Sequence, residues 1–204
     1  LYYLSDNIIF IWEGEYQHAK ENTIFFKNKF IYIPFGIDTK FWKSQEVKSF
    51  KNKKEILFVG NDSNRDFTLV NKIAEHLPGY DFIFVTSEIN KKDVSKNVKL
   101  YSGSWGNPAL TDSELKSLYE KSRLTIIPLN DSLQPSGQSV ALQSMMVGTP
   151  VLITKTSGLW DKTKLVGNDN IFFLNDNSVN TWVDKIVSLY NRDDELIRIS
   201  REST

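Results

Sequence analysis

From residue 55 onward the chain repeats one pattern: a short apolar run, a turn rich in Gly, Asn or Ser, then a polar stretch with apolar residues at helical spacing. The apolar runs fall at 56–59, 81–86, 98–101, 124–129, 151–154 and 171–174. Helical spacing covers 65–77, with Phe67, Val70, Ile73, Ala74 and Leu77 on one side and Pro78-Gly79 as the stop. Thr111 and Glu114 form a capping box that opens a helix to about residue 122. Ser136 and Gly137 open another, Gly148 closes it, and Pro150 keeps it from resuming. Residues 178–190 are amphipathic through Val179, Trp182, Val183, Ile186 and Leu189, and a last polar helix covers 194–202. Apolar strands alternating with helices predict an α/β fold: a Rossmann-like parallel six-stranded sheet with helices on both faces. Residues 1–50 are less regular. They read as a strand at 7–12, a polar helix at 13–22 and a strand at 29–33, before Pro34-Phe35-Gly36 turns the chain. The Lys-rich stretch 45–54 reads as a linker.

In such sheets ligands sit beyond the carboxyl ends of the strands. Those ends carry residues 60–65, 86–87, 102–110, 130–137 and 154–158. Gly60, Arg65, Ser136, Gly137, Thr154 and Lys155 are therefore expected to converge on one cleft. A helix that starts from Ser136-Gly137 offers unpaired backbone N–H groups and the positive end of its dipole, a place for a phosphate or another anion. An ordinary capped helix start is the alternative. Gln143 lies seven residues after Ser136 on the same face, inside a largely apolar run, where a polar side chain needs a partner.

Composition narrows the field. With 204 residues and 40% hydrophobic content, the chain suffices for one α/β domain, or for one domain and a fragment. Its 25 basic residues balance 25 acidic ones, which argues against a nucleic-acid or membrane-surface binder. The absence of Cys removes disulfides and thiolate metal sites. His18 and His76 alone leave little material for a His-based metal site or a Ser-His-Asp triad. No apolar run reaches transmembrane length, and Leu1 begins no signal peptide. A chain starting with Leu reads as a piece of a longer protein. No strand-end Asp-x-Asp is present, so no Mg²⁺ or Mn²⁺ site is expected. Asp193-Asp194-Glu195 stands at a helix start, where acids favour the dipole.

Three segments, by their order and spacing, resemble the C-terminal, donor-binding domain of GT-B glycosyltransferases, of the large retaining family often called family 4 (group 1). Residues 33–41, from Ile33-Pro34-Phe35-Gly36 through Asp38, are similar to that family's Pro-Asn-Gly-Val-Asp segment. Gly60 through Arg65-Asp66 is similar to its phosphate-side loop. Gln143 through Gly148-Thr149-Pro150-Val151 is similar to Glu-Ala-Met-Ala-x-Gly-x-Pro-Val. The capped helix at 112–122, the strand ending in Pro128-Leu129 and the segment 158–161 fall where the family has them, so the likeness covers about residues 30–200. The chain departs from the family at its two glutamates: Gln143 stands at the second, and no acid lies near Gln134 to Ser136 for the first. The usual basic pair is reduced to Arg65.

The resemblance implies a retaining, hexosyl-type glycosyltransferase. Residues 1–30 would be a remnant of its acceptor domain, 31–54 a linker, 55–190 the nucleotide-sugar-binding domain and 191–204 a C-terminal helix. Arg65 would ease departure of the nucleotide, or else is a solvated residue paired with Asp62 or Asp66. Gly60, Asn61, Arg65, Ser136, Gly137, Gln138, Gln143 and Trp105 would hold the donor. Gln143 would bond the ribose hydroxyls or a neighbouring loop, and Trp105 would stack on the base or pack in a core. Gln134 or Gln138 would stand in for the missing acid beside the sugar. No cofactor or metal is implied. The partners are a nucleotide-sugar donor and a glycan or lipid-linked acceptor held by the missing N-terminal half, without nucleic acid. The setting is polysaccharide or cell-envelope glycan assembly, in the cytoplasm or peripherally at the inner membrane face. This segment would hold the donor but not transfer sugar alone. A non-catalytic nucleotide-sugar scaffold or sensor of the same descent is the alternative.

Overall fold

The computed structural model describes residues 3–44, 49–103, 106–158 and 164–204. A small β-α-β unit comes first. Strand β1 (Ile8–Phe10) and strand β2 (Phe30–Tyr32) pair in parallel, with helix α1 (Glu13–Asn22) between them in sequence. A single-turn helix, α2 (Thr39–Trp42), follows, capped by Asp38, whose carboxylate accepts from the Lys40 and Phe41 amides. Neither the pattern of apolar residues nor the family likeness points to α2. Its one signal is Asp38 in a capping position, and its anchor is the buried Trp42.

The main sheet is six-stranded and parallel. Its strands are β3 (Ile56–Val59), β4 (Phe82–Val85), β5 (Val98–Tyr101), β6 (Leu124–Ile127), β7 (Val151–Thr154) and β8 (Phe172–Leu174). The helices are α3 (Phe67–His76), α4 (Asp112–Lys121), α5 (Gln138–Met146), α6 (Val179–Tyr190) and α7 (Asp193–Ser203). The sheet order is β5-β4-β3-β6-β7-β8. The chain thus starts in the middle at β3, works outward to β5, then returns to β6 on the other side of β3. That reversal opens a crevice between the carboxyl ends of β3 and β6, the switch point where open parallel sheets bind ligands.

Strands β3, β4, β6 and β7 bury both faces, so alternate residues feed two separate cores. Ile56, Phe58, Phe82, Phe84, Ile126 and Leu152 pack with α3, α6 and α7. Leu57, Ile83, Ile127, Val151 and Ile153 pack with Trp42, Tyr119 and α5. The run at 124–129 ends as a strand two residues early. Pro128 has no N–H to donate, and the Leu129 amide donates instead to Thr154 Oγ1 at 2.9 Å. The Thr111–Glu114 capping box is present, each side chain bonding the other's backbone. Gly148, at φ +81°, closes α5 in the left-handed conformation that favours glycine. Among the described residues no helix is long and apolar enough to cross a membrane.

Candidate functional site

The loop after β3 is held from below. The Asp66 amide donates to Pro128 O at 3.0 Å, and the Asn130 amide donates to Asn64 O at 2.8 Å. The Asp66 carboxylate accepts from the Leu69 amide and caps α3. These bonds place Arg65 beside the start of α5. Its side chain is buried, 3% exposed, in a slot between two glycines. A Cβ on Gly60 would overlap Arg65 Nε, and a Cβ on Gly137 would lie 3.0 Å from Arg65 Nη1 and 2.9 Å from Ile127 Cγ2. Glycine at both positions is what lets the guanidinium lie across the crevice.

Arg65 Nη1 donates to Ser136 Oγ at 2.8 Å, and that hydroxyl donates to Asp62 Oδ1 at 2.6 Å. Arg65 Nη2 stands 3.4 Å from Asp62 Oδ2, closing the triangle. Burial pushes the guanidinium down from its ordinary value, and Asp62 opposes that push. The group stays a cation, since an Arg guanidinium does not lose its proton in proteins.

Helix α5 starts from Gly137 at φ +84° with no side-chain cap, so its first amides and its dipole face the same crevice. Two buried donors there have no partner, Arg65 Nε and Gln138 Nε2. Gln138 is 8% exposed. Buried donors without acceptors are costly and rare in a settled structure. Donors gathered at a helix amino end beside a buried cation form a site that calls for an anion.

The structure brings together Gly60, Arg65, Ser136, Gly137 and Gln138. It sends Thr154 and Lys155 elsewhere. Thr154 Oγ1 accepts from the Leu129 amide and donates to Asn177 Oδ1 at 2.8 Å. The Lys155 ammonium sits over the Phe173 ring, 5.8 Å from its centroid. Both line a separate polar cavity of about 860 Å³ with Asp66, Asp131, Asn175 and Asn177. Asn61 ties three strand ends together, accepting from Thr86 Oγ1 and the Ser87 amide and donating to Gly103 O. It shapes the rim by bracing it. Gln143 is half-buried, and its Oε1 accepts from the Tyr119 hydroxyl at 3.3 Å. Trp105 and the residues 159–161 lie outside the described residues. Among the described residues no group of three or more His, Cys, Asp or Glu is placed to hold a metal ion.

Sequence reasoning passed over Asn177 and Tyr119. Asn177 Nδ2 donates to Leu129 O at 2.6 Å while its Oδ1 accepts from Trp182 Nε1 at 3.3 Å. Nothing short-range in the sequence marks these residues, because their partners lie on other strands and helices. Gln134 lines a cavity of about 740 Å³ between α1 and the loops after β6 and β7. Phe10, Glu13, His18, Leu133 and Gly158 are among its other walls.

No protein-family model and no curated protein matches this sequence. Solved structures do match in fold. A glycosyltransferase from Rickettsia africae ESF-5 superposes with a TM-score of 0.74 at 14% identity, over 97% of this chain and 57% of that one. Anabaena Alr3699/HepE, solved in complex with UDP-glucose, gives 0.73 at 13% identity, over 98% of this chain and 58% of that one. The C-terminal domain of a glycosyl transferase group 1 family protein (LpcC) from Francisella tularensis gives 0.61 at 15% identity, over 82% of this chain and 94% of that one. The fold is therefore the α/β fold of GT-B C-terminal domains. This chain spans a little over half the length of the first and second of these structures.

Proposed function

We propose that this chain binds the diphosphate of a nucleotide-sugar at the amino end of α5, as the donor-binding part of a metal-independent, retaining glycosyltransferase. One observation carries the reading. A buried cation and two unpartnered buried donors meet at an uncapped helix start, on the switch point of a parallel sheet. The fold shared with a structure solved with UDP-glucose supports the choice of anion. In this reading Arg65 and the α5 amides stabilise charge growing on the leaving diphosphate without a metal. The sugar end points toward Gln134 and the cavity beside α1, and the acceptor, a glycan or lipid-linked glycan, is held chiefly by a preceding N-terminal half. The setting in this proposal is cell-envelope or polysaccharide assembly on the cytoplasmic side of the membrane. Thermal-shift titration with UDP, GDP, ADP and their sugars tests it: one of them raises the unfolding midpoint, and inorganic phosphate at equal concentration does not match it. A flat response to all of them removes the donor site.

A second reading, a non-catalytic nucleotide-sugar scaffold, is favoured by the lack of a carboxylate at Ser136 and Gln143. Turnover by the full-length protein with a panel of nucleotide-sugars and lipid or glycan acceptors separates the two. Sugar transfer excludes the scaffold.

A further inference from the structure

Tyr119, on α4, has its side chain fully buried, and its hydroxyl reaches Gln143 on α5. Its surroundings fix it in place. The ring stands edge-on to Trp42 with centroids 6.0 Å apart, and Thr149 Oγ1 donates to the Tyr119 carbonyl at 2.6 Å. Burial pushes the phenol up from its ordinary value, with the nearby Arg65 cation opposing, so it stays protonated. A buried phenol has one proton to place, and Gln143 Oε1 is the acceptor it meets. A carboxamide is planar, with oxygen and nitrogen diverging from one carbon. When Oε1 is held from the protein side, the NH₂ group turns away from Tyr119.

We infer that Tyr119 is a positioning residue whose hydroxyl holds Gln143 Oε1, so that Gln143 presents its NH₂ group to the nucleotide and meets an acceptor oxygen there. The inference rests on the donor reading above. A glutamate at position 143 would offer only lone pairs; this chain offers a donor, oriented from α4. Tyr119 acts through Gln143 and does not itself touch the ligand.

The test uses this chain with UDP, or with GDP or ADP where one of those binds instead. Affinities are measured by calorimetry for wild type, Y119F, Q143A and the double variant. The Gln143 side-chain NH₂ resonances are assigned by their loss in Q143A. The expected result is about fivefold weaker binding by Y119F, the size of one neutral hydrogen bond. That loss should vanish in the Q143A background, and the Gln143 NH₂ pair of the wild type should shift when nucleotide is added. Three outcomes overturn the inference while leaving the donor reading intact: unchanged affinity in Y119F, an equal loss with and without Gln143, or a stationary NH₂ pair. Absence of binding by the wild type to all three nucleotides overturns the donor reading, and this inference falls with it.

Discussion

Replacing Arg65 by Met keeps a stem of similar length in the slot between Gly60 and Gly137 and removes the guanidinium. The structure sets two opposing terms for stability. The change loses one hydrogen bond to Ser136 Oγ at 2.8 Å and a 3.4 Å contact to Asp62, whose side chain is 48% exposed. Those are worth about 1–2 kcal/mol and under about 1 kcal/mol respectively. Against them, it relieves the desolvation of a buried cation and of an unpartnered Nε, about 1–3 kcal/mol. The net change lies within about 1 kcal/mol of zero, or a midpoint shift within about 4 °C. Ligand binding has no such compensation. A charge-assisted bond to the diphosphate contributes about 1.5–3 kcal/mol, so its loss weakens affinity roughly 10- to 150-fold. At nucleotide about 100 times the wild-type dissociation constant, the ligand stabilises wild type by about 2.7 kcal/mol. A 30-fold loss cuts that to about 0.9 kcal/mol. Thermal unfolding of both proteins, with and without nucleotide, reads all four states. If the variant loses more than about 3 kcal/mol of intrinsic stability and keeps its ligand-induced shift, Arg65 is a brace and the reasoning fails.

Three further outcomes follow from the same geometry. Gly137→Ala should destabilise by about 1–3 kcal/mol in urea unfolding, through its positive φ of +84° and the push against Ile127 and Arg65; a neutral result would show that this turn relaxes freely. Arg123 is a buried cation whose Nε also lacks a partner but whose Nη atoms are both engaged, donating to Phe50 O at 2.7 Å, to Tyr190 O and to Asp193. Arg123→Met should therefore cost about 2–4 kcal/mol and leave the nucleotide-induced shift intact. Burial pushes the Lys53 ammonium down from 10.5 to about 8, with Glu120 opposing. Between pH 8 and 10.5 the unfolded chain then holds the extra proton, and stability rises with pH. Lys53→Met should remove that rise and lift the midpoint at neutral pH; an unchanged pH slope would show that Lys53 titrates normally.

The elements legible in the sequence were those fixed by local signals. Gly148 and Pro150 bound the end of α5, Thr111 and Glu114 the start of α4, and the apolar runs all six main strands. The meeting of Arg65 with Ser136 was legible only as a shared sheet edge. That edge depends on β6 returning beside β3, a crossover no local window contains. The expected convergence of Thr154 and Lys155 failed for the same reason. Thr154 ends β7 and Lys155 follows it, one strand further from the switch point, and Thr154 turns inward to satisfy the Leu129 amide that Pro128 leaves without a strand partner. The family likeness gives Asn61 as a donor contact, and the structure shows its side chain bracing the rim of the crevice. Its bonds to Thr86, Ser87 and Gly103 join ends of strands distant in sequence and could not be read there.

The central claim is that the amino end of α5 receives a diphosphate, and a crystal structure of this chain with bound UDP, or with the nucleotide that binds, tests it most directly. The account predicts phosphate oxygens within hydrogen-bond distance of the Gln138 and Ser139 amides, with Arg65 Nε or Gln138 Nε2 finding an acceptor at last. A nucleotide seated against α1 alone, or over the Lys155 cavity, with Arg65 still closed on Ser136, would contradict it.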